Sequence, residues 1–128
     1  MSSESIIGVE IRLLAVLIKS ILDLGLEYRE TKSLRTSDGQ IHKVDLVVKD
    51  KMGNEIGIAK TQKGDYNIIT DSGLSGAELK TQEDIVKKIR QRYTYNYVID
   101  HLKKQGYIIA EEERVQNNTI KLVARKWS

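Results

Sequence analysis

One pattern occurs twice in this chain and limits its folds more than any other feature. It appears in IKSILDLGLEYRETKSLRTSDGQIHKVDLVVKD, residues 18–50, and again in IDHLKKQGYIIAEEERVQNNTIKLVARK, residues 99–126. Each segment reads as a helix stopping at glycine, a strand carrying acids, a turn, and a strand alternating Val or Leu with Lys or Arg. Apolar residues recurring about every 3.6 positions mark a helix, and recurrence at every second position marks a strand. Strands ahead of each helix, SIIGVEI at 5–11 and YNIITD at 66–71, extend the pattern to a β-α-β-β unit used twice. The expected fold is α+β: one antiparallel sheet of about seven strands with two helices packed on one face.

The remaining segments fit this plan. The first helix is expected over residues 12–24, with Leu13, Leu14, Leu17, Ile21 and Leu24 on one face and Gly25 as its stop. Ile18 and Leu22 widen its apolar surface, which points to deep burial or an interface. LEYRETKSLR, IHKVDLVVKD, EIGIAKTQ and YNIITD read as strands joined at TSDGQ, KMGN and KGD, hairpin-length connections that make an antiparallel meander. In the second of these, Val44, Leu46 and Val48 are assigned to one face by alternation. SGLSGAELK reads as a loop into a second helix from about Thr81 to Gln105, stopped by Gly106. YIIAEEERV and TIKLVARKW form a last hairpin around QNN, where Asn117 and Asn118 tolerate positive φ.

At 128 residues, 40% hydrophobic and 30% charged, residues 1–128 make a single domain with a core of ordinary size. No cysteine is present, which excludes disulfides, thiolate metal sites and thiol nucleophiles. The net charge of +3 permits a polyanionic partner without demanding one. Arg12, Lys19 and Asp23 interrupt the most apolar stretch, so no membrane span is expected, and nothing at the start reads as a secretory signal. The expected setting is intracellular and soluble.

The chemistry-bearing stretch is IRQRYTYNYVIDHLKKQGY, residues 89–107, with four of the six tyrosines. On a helix, Ile85, Val86, Ile89, Tyr93 and Tyr97 fall on one side, and Tyr95, Val98, Ile99 and Leu102 on another, so the apolar stripe rotates. Either the helix is covered on two sides or one tyrosine set meets a partner. Tyr and Arg are typical interface anchors. Gln91, Arg92, Tyr93 and Tyr95 are therefore the partner-binding candidates, with Arg92 and Tyr95 preferred. Lys87, Lys88, Arg90, Lys121 and Arg125 are the basic-surface candidates for a nucleic-acid backbone. Glu111 and Glu113 share a face, and cross-strand pairing with Lys121 or Arg125 accounts for them more simply than a metal. His42 and His101 have no metal-ligand spacing, and Ser72 and Ser75 lack the G-x-S-x-G elbow. No catalytic residue, metal or cofactor is assigned. An enzyme would need a pocket lined by groups such as Asp45, Tyr66 or His42.

The stretch QRYTYNYVIDHLKKQGYIIAEEERVQNNTIKLVARKW resembles the hypothetical chloroplast reading frame thirty-five family, a plastid and cyanobacterial domain family of unknown function. The resemblance rests on Gln91, Arg92, Tyr93, Tyr95, Gln105, Gly106, Tyr107, Glu111 to Glu113, Ile120, Leu122, Val123, Arg125, Lys126 and Trp127. It extends more loosely to the opening strand and helix. Members often carry tryptophans after the central hairpin, where this chain has NIITDSGLSG. The resemblance implies the same α+β fold, a cytoplasmic or plastid stromal setting, and, by analogy, an AAA-type ATPase as protein partner. The leading expectation is a non-enzymatic accessory or protein-interaction domain, with self-association through the first helix a related option. The rival is a nucleic-acid-binding module using the sheet and the basic second helix.

Overall fold

In a computed structural model of the protein, residues 10–115 and 119–126 are described, with side chains from 10 to 106. Helix α1 spans Leu14–Asp23, followed by strands β1 (Glu27–Glu30), β2 (Ser33–Arg35), β3 (Ile41–Lys43), β4 (Leu46–Lys49), β5 (Glu55–Lys60) and β6 (Tyr66–Ile69). Helix α2 spans Gly76–Lys104, and strands β7 (Tyr107–Val115) and β8 (Thr119–Lys126) close the chain. The fold is α+β, every strand pairing is antiparallel, and both helices contribute to one core on the same side of the main sheet.

The ladders form a four-stranded sheet, β1-β4-β5-β6, and two ribbons, β2-β3 and β7-β8. Glu30 faces Leu46 and Ser33 faces Lys43, so the register continues without a shift from β1–β4 into β2–β3. Val44 N donates to Lys32 O (3.0 Å) between them. These four elements are thus one long hairpin interrupted near Thr31 and Asp45. The interruption has a visible cause. Asp45 N donates to Ile58 O (2.8 Å) and its carboxylate accepts from Lys60 N (2.7 Å), which ties the chain to β5 at that point. With β1–β2 and β3–β4 each read as one strand, six of the seven expected strands are present. The expected first strand lies outside the described residues up to position 9, as does the QNN turn at 116–118. Ile11 is described, and its carbonyl accepts from Tyr66 N on β6 (2.7 Å).

Three hairpin loops share one construction. In each, the first residue of a five-residue loop pairs with the last through its N–H, and the fourth is a glycine at positive φ. Thr36 N donates to Gln40 O (2.9 Å), Asp50 N to Asn54 O (2.8 Å) and Thr61 N to Asp65 O (2.8 Å). Gly39, Gly53 and Gly64 have φ of 85°, 85° and 91°. This is a tight turn followed by a glycine bulge, a common way to close a three-residue hairpin loop.

The core has two parts. On the helix side, Leu46, Val48, Ile56 and Ile58 of the sheet pack with Leu17 and Ile21 of α1 and Ile85, Ile89 and Tyr93 of α2. On the other side, Leu34, Val44, Val47 and Ile69 form a smaller cluster. Alternation assigned Val44 to the face of Leu46 and Val48. It instead packs with Val47, because the break at Asp45 turns the β2–β3 ribbon back across the second face of the sheet. Helix α2 begins five residues earlier than expected: Gly76, Ala77, Glu78, Leu79 and Lys80 are helical, and Glu78 sits where an acid suits the helix dipole. The part of the repeated plan from each helix onward is visible in the backbone, while the strand ahead of the first helix falls mostly outside the described residues. Both helices are followed by a glycine at positive φ, Gly25 (71°) and Gly106 (86°), and then by an antiparallel ribbon.

Candidate functional site

The buried residues of α2 are Gln82, Ile85, Ile89, Tyr93 and Asn96, each three or four positions from the next. That spacing makes one continuous inward stripe. The rotation expected from the sequence is also present. Tyr95, Val98, Ile99 and Leu102 are half-buried rather than open, although they lie off the inward stripe. Strands β7 and β8 both approach α2, which therefore has neighbours besides the sheet and α1.

A polar network joins α2 to the end of α1. Asn96 is buried, and its amide donates to Ser20 Oγ (3.0 Å) and Asp23 Oδ2 (3.0 Å). Ser20 Oγ in turn donates to Val16 O (2.7 Å). Asp23 also accepts from Arg92 Nε (3.1 Å) and Lys19 Nζ (3.2 Å). These donors, led by the Asn96 amide, outweigh partial desolvation and lower the Asp23 carboxyl to about 2. The same guanidinium lies over the Tyr95 ring, 4.6 Å from its centroid. Arg92 is thus held on one side by a carboxylate and on the other by an aromatic face, with 27% of its side chain exposed.

The four partner-binding candidates separate. Arg92 and Tyr95 form this pair, and Gln91 is half-buried next to Arg92 in sequence. The expectation that Tyr93 meets a partner is corrected: Tyr93 is fully buried, and its hydroxyl accepts from Arg12 N (3.0 Å) and Leu13 N (3.1 Å). Its ring stacks on Tyr97, which stacks on the exposed His101, both at 6.1 Å between centroids.

Among the basic candidates, Lys87 and Arg90 are exposed, and Lys88 pairs with Asp84 (3.0 Å). Other cations of the surface are paired too: Arg29 with Glu55 (2.7 Å) and Lys104 with Asp100 (3.0 Å). The backbone register sets Lys121 opposite Glu113 and Arg125 opposite Ile108. The side chains of Lys121 and Arg125 lie outside the described residues.

The remaining polar candidates are engaged in local structure. His42 is half-buried, 3.3 Å from Thr36 Oγ1, and Asp45 is tied to Lys60 N. Tyr66 packs against the helix-side core. Ser72 Oγ donates to Asp38 (3.0 Å). Among the described residues no group of three or more His, Cys, Asp or Glu side chains could hold a metal, and no helix is long and apolar enough to cross a membrane. Sequence reasoning passed over Asn96, Ser20 and Asp23. The available signal was Ser20 and Asn96 placed on otherwise apolar helix faces, where a buried polar group needs a partner.

Residues 20–123 match the family model described as Protein of unknown function (DUF1257). The chain is similar to "Uncharacterized protein ycf35" of Pyropia yezoensis, 27% identical over 129 residues that cover 100% of this chain and 99% of that protein. It is also similar to "Uncharacterized protein ycf35" of Cyanophora paradoxa, 26% identical over 110 residues, 85% of this chain and 84% of that protein. No solved structure matches.

Proposed function

Because the chain belongs to the family described as Protein of unknown function (DUF1257), a description that names no activity, we propose its function from geometry: a non-enzymatic accessory domain that binds a protein partner through α2. The observation that carries this reading is the Arg92–Tyr95 pair. Arg92 is fixed by Asp23 at 3.1 Å and laid over the Tyr95 ring at 4.6 Å. Arginine and tyrosine are over-represented among residues that dominate interfaces. Holding them in place before binding reduces the side-chain ordering cost. The non-enzymatic part is supported by how the acids are used. Asp38, Asp45, Asp65 and Asp71 accept hydrogen bonds that close turns or tie loops. An AAA-type ATPase is the partner that the family resemblance favours, in a cytoplasmic or plastid stromal setting.

The test is capture by the tagged protein from its native lysate, with and without nuclease, set beside the folded double variant Arg92→Ala, Tyr95→Ala. A protein partner that survives nuclease and is held at least about tenfold less by the variant is the expected result. Undiminished capture by the variant would remove these two residues. Proteins lost on nuclease treatment, with retention falling steeply as salt rises, would move the assignment to nucleic acid.

A further inference from the structure

The tip of the β2–β3 ribbon reads Thr36-Ser37-Asp38-Gly39, and the loop after β6 reads Thr70-Asp71-Ser72-Gly73. These are the same four residues with the middle two exchanged, and they bond to each other crosswise. Ser37 Oγ donates to Asp71 Oδ1 (2.7 Å), Ser37 N donates to Asp71 Oδ2 (2.8 Å), and Ser72 Oγ donates to Asp38 Oδ2 (3.0 Å). The fit is close: a Cβ on Gly73 would run into Ser37 Oγ. The loop side is anchored in the body of the protein. Asp71 N donates to the amide oxygen of the fully buried Gln82 (2.7 Å), whose nitrogen donates to Glu55 O (3.4 Å).

The ribbon itself is lightly held elsewhere. Among the described residues, β2 and β3 hydrogen-bond only to each other in the sheet ladders, and at Asp45 the chain is pinned to β5. Between that hinge and the tip, the ribbon rests on the small cluster of Leu34, Val44, Val47 and Ile69, separate from the larger helix-side core. Elements with few buried contacts open locally at a free energy below that of global unfolding.

We propose that the β2–β3 ribbon is a latched strap: it opens and closes as a unit about Thr31 and Asp45, uncovering Val47 and Ile69, and the crossed Ser–Asp pairs hold it shut. The four-stranded sheet and both helices stay folded when it opens. This does not depend on the role assigned to α2.

Amide hydrogen exchange on the full chain tests it. Ser37→Ala removes one latch bond, and Ser37→Asp sets a third carboxylate against Asp38 and Asp71. The amides of 33–35 and 41–43 are expected to exchange about tenfold faster in the first variant and about a hundredfold faster in the second. Those of Ile56, Ile58, Ile89 and Tyr93 keep the parent's rates. Unchanged ribbon rates in both variants would overturn the latch. A common acceleration of ribbon, β5 and α2 would overturn the strap, because the ribbon would then open only with the whole domain. Tyr93→Phe, which weakens the helix-side core, shows what such a common acceleration looks like.

Discussion

Helix α1 starts at Leu14 with Leu13 at its cap position and no side-chain cap of its own. The hydroxyl of Tyr93, from the middle of α2, accepts from both Arg12 N and Leu13 N. Backbone N–H groups shielded from water need partners, and a distant side chain supplies one here. Tyr93→Phe keeps the ring on Tyr97 and deletes only that acceptor. The variant is expected to lose about 2 kcal/mol in urea unfolding with an unchanged slope. A loss below about 0.5 kcal/mol would mean that water satisfies the two N–H groups instead. The helical spacing already groups Tyr93 with Ile85 and Ile89, but residue type alone also made it a partner-binding candidate, and only its burial decides between the two. The duty of its hydroxyl was not legible, because the partners are backbone groups some eighty positions earlier, and sequence gives backbone N–H no identity.

At the scale of elements, β5 shows what alternation conveys and what it omits. EIGIAK places Ile56 and Ile58 on the helix face, and both are fully buried there. Gly57 between them looks like a weak point in a strand. It is a clearance: a Cβ at that position would lie 2.8 Å from Val44 Cγ1 and 3.1 Å from Leu34 Cδ2. The ribbon can cross the sheet because β5 has no side chain there. Gly57→Ala is expected to cost about 1–3 kcal/mol in thermal or urea unfolding, the usual range for overpacking. No change in stability would mean that the ribbon yields freely at this crossing. The strands, the helices and the three glycine turns were legible because each depends on near neighbours in sequence. The crossing of the ribbon was not. It depends on a hydrogen bond from Asp45 to Ile58 and on a gap at Gly57, neither of which alters the local pattern. Arg92 and Tyr95 were legible as a pair by residue type, whereas the carboxylate that orients Arg92 lies on another helix.

For the molecule as a whole, four carboxyls among the described residues lie below their ordinary range, and they sit at joints and turns. Asp23 links α1 to α2, led by the Asn96 amide. Asp38 is held down first by the Thr36 hydroxyl and Asp65 by the Thr61 hydroxyl. At Asp71 burial pushes upward, but hydrogen bonds from Ser37 and Gly73 outweigh it. A carboxyl lowered in the folded state binds fewer protons there than in the unfolded chain. Its stabilising effect is therefore complete above the unfolded value and is lost as pH falls through the folded one. For Asp23 the window runs from the ordinary 3.8 down to about 2. The urea midpoint should be nearly flat from about pH 5 to 7 and fall steadily below about pH 4. Asp23→Asn separates one joint from the rest. It should lie below the parent at neutral pH, since it removes the negative charge that pairs with Arg92 and Lys19, and approach the parent's curve as pH nears 2, where Asp23 is itself becoming neutral. Two curves that stay parallel from pH 6 to about 2 would show that the acid loss arises elsewhere. The Asp38 and Asp71 latch and the Asp65 turn would then be its sources, and the α1–α2 joint would be indifferent to acid.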